Sequence, residues 1–137
     1  MKICGIELKG NEAIIVSVLF DGEDYTFINK DVKKIKLKDT DNQSDVQEFT
    51  KELYSFFDAN DFEGIAIKGR AKKGKFAGGS VSFKIEGIIQ NSNYPVLIFP
   101  GATIKAKLKN STIDASQING YQEDALRAAI CYKIAQK

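Results

Sequence analysis

The densest run of chemically capable side chains lies between Lys68 and Lys75. There Lys68, Arg70, Lys72, Lys73 and Lys75 alternate with Gly69 and Gly74, ahead of Phe76 and the pair Gly78-Gly79. Ammonium groups and the bare N–H donors of a glycine-rich loop leading into a helix hold phosphate, and an aromatic ring beside them stacks on a base. The spacing of glycine and lysine is not that of a Walker loop. Two readings are left: contact with nucleic acid, or an ordinary solvated loop.

The rest of the composition narrows the chemistry by exclusion. With no histidine the chain lacks the commonest transition-metal ligand and the usual general base near neutral pH, which excludes a Ser-His or Cys-His hydrolase. Cys4 sits in the first apolar run and Cys131 in the last, and such isolated cysteines are read as buried, reduced thiols. Twenty Lys and Arg against 18 Asp and Glu leave a net charge of +2, so overall charge selects no polyanionic partner and any basic site must be local. No apolar stretch is long enough to span a bilayer, and the chain opens directly on a strand-like run, so a cytoplasmic protein with no membrane partner is expected. Its 137 residues, 43% hydrophobic and 28% charged, suit a single domain over residues 1–137 that buries about two-thirds of its unfolded surface.

The elements that must position these side chains follow from periodicity. Ile3 to Leu8 alternates, turns at Lys9-Gly10-Asn11 and continues into the β-rich run Ala13 to Phe20, which predicts a hairpin. Asp21-Gly22 turns the chain again, and a third extended segment is expected between Tyr25 and Leu37. Ser44, with Gln47 three residues on, resembles a capping box, and Val46, Phe49, Leu53, Phe56 and Phe57 recur at helical spacing up to Asn60. Gly64 to Ile67 and Tyr94 to Phe99 read as buried parallel strands joined by a helix over Gly79 to Gln90. Thr103 to Leu108 is a short helical piece, and Gln122 to Ala135 carries an apolar helical face. The polar stretch Lys109 to Asn119 between them is an ordered connection or a mobile loop. The result is an α/β fold: a mixed five-stranded sheet, three strands antiparallel and then two parallel, with helices on both faces.

This element order resembles the ribonuclease-H fold, and four stretches resemble the RuvC-type Holliday-junction resolvases. Cys4-Gly5-Ile6-Glu7 resembles that family's first-strand motif, where glycine and isoleucine precede a catalytic aspartate, and Ile65-Ala66-Ile67 resembles the strand leading to its catalytic glutamate. Tyr94-Pro95-Val96 with Thr103-Ile104-Lys105 resembles its last strand and following helix. Asp124-Ala125-Leu126 with Ala128-Ala129 resembles the alanine-rich final helix. Closer still, Met1 to Asn11 (MKICGIELKGN) and Gly74 to Lys84 (GKFAGGSVSFK) are similar to a bacterial family known as domain of unknown function 3010.

The resolvase resemblance implies four carboxylates that together hold two divalent cations for phosphodiester cleavage. Carried over residue by residue, the first falls on Glu7 and the second on Lys68, which cannot ligate magnesium while charged. The last two fall on Tyr121 and Asp124, with Glu123 as a differently directed neighbour. The expectation is a degenerate site with no cofactor, in which Lys68 forms an internal ion pair in place of the metal's charge. In the resolvases the loop equivalent to Lys68–Phe76 contacts DNA. The leading reading is therefore a non-catalytic module that binds nucleic acid through Lys68, Arg70, Lys72, Lys73, Lys75 and Phe76. One alternative is a weak Mg- or Mn-dependent nuclease using Glu7, Asp124 and Glu123; another is a structural or interaction protein that forms a homodimer.

Overall fold

The structure is a computed structural model and describes residues 1–70 and 79–136. Strand β1 (Lys2–Lys9) reverses through Gly10, whose φ of +60° suits a residue without a Cβ, into β2 (Glu12–Asp21). β3 (Asp24–Ile28) and β4 (Lys34–Lys36) follow, then α1 (Gln43–Asn60), β5 (Gly64–Gly69), α2 (Ser80–Gln90), β6 (Val96–Pro100), α3 (Gly101–Lys107) and α4 (Glu123–Ala135). The sheet runs β3-β2-β1-β5-β6, with β4 also paired to β2. β1 is antiparallel to β2 and parallel to β5, and β6 is parallel to β5. Among the described residues no helix is long and apolar enough to cross a membrane.

The period of two along each strand divides the core into two layers. Cys4, Ile6 and Leu8 of β1 and Ile65 and Ile67 of β5 pack under α1 and α2, against Phe49, Leu53, Phe57, Ile85 and Ile89. Ile3 of β1, Val16 and Val18 of β2 and Ala66 of β5 pack on the other side under α4, against Ala125, Leu126 and Ala129. Each large side chain here contributes roughly 2 kcal/mol by burial, and a one-residue slip would turn a whole set of them outward, which locks the register. Cys4 belongs to the first layer and Cys131 to the second; both are free and fully buried.

Two sequence expectations are revised. The third extended segment is two strands, so the sheet has six strands rather than five. β3 pairs with Ser17–Asp21 and β4 with Glu12–Ile14, both on the outer edge of β2, and Asn29 at φ +48° redirects the chain between them. Helix α1 is capped by Asn42, not Ser44: the Asn42 Oδ1 accepts from the Asp45 N–H at 3.1 Å and from the Ser44 hydroxyl at 2.7 Å. The stretch after α3 is tied down, since the Tyr25 hydroxyl accepts from the Asp114 N–H at 2.9 Å and donates to the Asp114 carbonyl at 3.1 Å, while Ile113 and Ile118 pack on the α4 layer.

Candidate functional site

Alternation along β1 puts Glu7 on the same side as Ile3 and Gly5, toward α4, and alternation along β5 puts Lys68 on the same side as Ala66. The two residues are register partners at the carboxyl ends of adjacent parallel strands, where open α/β sheets place their sites. Helix α4 lies across them because Gly5 has no side chain: a Cβ there would collide with the carbonyl oxygen of Ala125. The same close approach sets Asp124, in the first turn of α4, above Glu7 and Lys68.

The three side chains meet. Lys68 Nζ donates to Asp124 Oδ2 at 2.7 Å and lies 3.7 Å from Glu7 Oε2. Glu7 is the most enclosed of the three, its side chain 16% exposed against 29% for Lys68 and 37% for Asp124. Burial raises the Glu7 carboxyl above the usual carboxylate range; the charge of Asp124, within hydrogen-bonding reach, adds to this, and the Lys68 ammonium works against it. For Asp124, burial pushes the same way but is outweighed by the hydrogen bonds and charges of Lys68 and Arg127, which hold its carboxyl below the usual range.

The other candidates are placed differently. Glu123 is not part of this contact; its carboxylate pairs with Arg127 at 3.4 Å, one turn along α4. Tyr121 sits exposed in a 3-10 turn over Gly120–Gln122, with the Lys34 ammonium 4.6 Å from its ring centre. Arg70 extends the basic run beyond β5, and its guanidinium donates to the Leu8 carbonyl at 3.2 Å. Lys72, Lys73, Lys75 and Phe76 lie outside the described residues. Arg127, which the sequence reading passed over, bridges Asp124 at 3.1 Å and Glu123 at 3.4 Å. Its i+3 and i+4 spacing from two acids in a helix was the available signal.

A divalent cation does not fit these residues. The space between Glu7 and Asp124 is taken by an ammonium, which would repel a dication, and among the described residues no group of three or more His, Cys, Asp or Glu is arranged to hold a metal. The thiols add no nucleophile: burial raises both Cys4 and Cys131 above their ordinary values.

A mixed sheet with this strand order, and acidic and basic groups gathered at the carboxyl ends of β1 and β5 beneath the last helix, defines a ribonuclease-H-like fold of the resolvase type. The structure is similar to RuvC of Thermus thermophilus, at a TM-score of 0.67 and 11% identity over 95% of this chain and 92% of that one. It is also similar to T. thermophilus RuvC in complex with its Holliday junction substrate, at 0.66 and 13% identity over 95% and 91%. A third match is the Fowlpox virus resolvase in complex with Holliday junction DNA, at 0.57 and 12% identity over 99% of both chains. No curated protein matches the sequence. Residues 1–132 match the family model described as "Protein of unknown function (DUF3010)", and the chain belongs to that family.

Proposed function

We propose that this chain is a nucleic-acid-binding module of ribonuclease-H-like fold that works without the divalent cations of a nuclease. The observation that carries the reading is the Lys68 ammonium set between Asp124 and Glu7, at 2.7 and 3.7 Å, where it balances charge that a metal would otherwise balance. Phosphate partners come from the basic run that Lys68 begins and that continues through Lys72, Lys73 and Lys75. The two similar proteins solved with Holliday junctions supply the first probe, a labelled four-way DNA junction.

The test is fluorescence anisotropy of that junction in EDTA across a salt series. Binding is expected without metal, with affinity falling about 0.9 decades per decade of salt for each phosphate contacted, hence a shallow slope for the few lysines involved. Charge reversal at Lys72, Lys73 and Lys75 together is expected to abolish binding. Binding indifferent to that reversal, or cleavage of the junction on adding magnesium or manganese, overturns the proposal.

A further inference from the structure

Beside the Glu7–Lys68–Asp124 contact, between the end of β5, α3 and α4, lies a pocket of about 490 Å3. We infer that this pocket, which shares Lys68 and Asp124 with that contact, binds a phosphomonoester, the 5′-phosphate of a nucleotide. The inference rests on the reading above for its choice of a nucleotide as the group that carries the phosphate.

The lining combines an apolar floor with an excess of positive charge. Ile104 and Leu108, 4% and 8% exposed, form the floor, and Lys68, Lys105, Lys109 and Arg127 surround it. The one acid among the described lining residues, Asp124, is already met by Lys68 at 2.7 Å and Arg127 at 3.1 Å. Lys105 and Lys109 are exposed residues of the lining and form no ion pair among the described residues, so their charges are available to an anion held there. A phosphomonoester carries about −1.5 to −2 at neutral pH, matching two ammoniums, whereas an internal phosphodiester carries a single charge. The volume falls in the range of small-molecule sites, roughly 300–1,000 Å3, and a concave site of that size admits a terminal or free nucleotide more readily than the backbone of a duplex. The sugar and base then cover Ile104 and Leu108, and the phosphate lies between the two lysines.

Calorimetric titration of the whole protein with adenosine 5′-monophosphate, adenosine and inorganic phosphate tests this. The monophosphate is expected to bind at least about tenfold more tightly than adenosine, phosphate is expected to displace it, and K105A/K109A is expected to weaken it about tenfold while melting as the wild type does. No binding of the monophosphate, equal binding of monophosphate and adenosine, or an unchanged affinity in the double variant overturns the inference. A 5′-phosphorylated tetranucleotide separates the sources: tighter binding than the monophosphate assigns the pocket to a strand end, weaker binding to a free nucleotide, and both uphold the site. The two readings fail separately. Loss of monophosphate binding overturns the pocket whatever the junction does, and a junction bound without regard to salt overturns the nucleic-acid reading whatever the monophosphate does.

Discussion

Glu7 and Lys68 stand opposite each other in register on β1 and β5, and their side chains meet at 3.7 Å beneath Asp124. One cation thus serves two carboxylates, and removing it leaves both without their main partner. Lys68→Met is expected to cost about 2 kcal/mol at neutral pH, between the values for exposed and buried pairs because the group is partly open to water. Urea denaturation measures it, and a loss under about 0.5 kcal/mol would contradict the pairing.

The pH dependence of that loss has a definite sign. Glu7 is raised when folded, and without the ammonium it rises further, so the cost of ionising it appears as pH climbs through its folded value. Asp124 is depressed when folded, so its contribution is present above the ordinary aspartate value of about 3.9 and is lost as pH falls through its lower folded value. Both effects make the deficit of Lys68→Met largest near neutrality and smaller in acid. Carbon-detected NMR titration of the Glu7 carboxyl should show an upward shift in the variant.

Lys68→Glu turns the ion pair into a cluster of acids. Its melting temperature in EDTA is expected to drop, with about 3–5 kcal/mol lost, since a third negative charge replaces the cation. Manganese at about a hundredfold over its dissociation constant should return roughly 2.7 kcal/mol. A melt unmoved by manganese would mean that the three carboxyl groups do not converge.

Gly5→Ala tests what holds α4 over the site. The added methyl would meet the backbone oxygen of Ala125, which has no rotamer to escape into, so about 3 kcal/mol of stability should be lost and Asp124 displaced from Lys68. A variant as stable as the parent would show that α4 seats elsewhere.

Gln122 locks the entry to α4. Its buried side chain donates to the Ile15 carbonyl at 2.9 Å and accepts from the Asn119 N–H at 2.9 Å. Gln122→Glu removes the donor, and a loss of about 1–3 kcal/mol in thermal melts is expected, the cost of an unpaired buried carbonyl.

Much of this arrangement is legible in the sequence. Period-two alternation places Gly5 and Glu7 on one face of β1, and helical spacing in Val46 to Phe57 and Ala125 to Ile130 marks the covering helices. What sequence could not resolve depends on backbone geometry that no periodicity encodes. The split of β3 from β4 turns on Asn29 at positive φ, and the α1 cap falls on Asn42 because its carboxamide, not the Ser44 hydroxyl, reaches the N–H of the third helical residue. At the site, the contact of Lys68 with Asp124 joins residues 56 apart in the chain, and only the resolvase resemblance, which sets both at catalytic positions, leads to the expectation of an ion pair there. Lys105 and Lys109 carry no site reading in the sequence, because nothing in a linear pattern reports a cavity.

Cys4 and Cys131, buried in different layers with their thiols raised above ordinary values, make the molecule its own two-channel reporter. A thiol reagent reaches Cys4 only when the α1–α2 side parts from the sheet, and Cys131 only when α4 lifts. Equal labelling rates would describe a sheet that opens as one cooperative body, and a faster Cys131 would describe a helix that breathes above the ion pair while the opposite side stays shut.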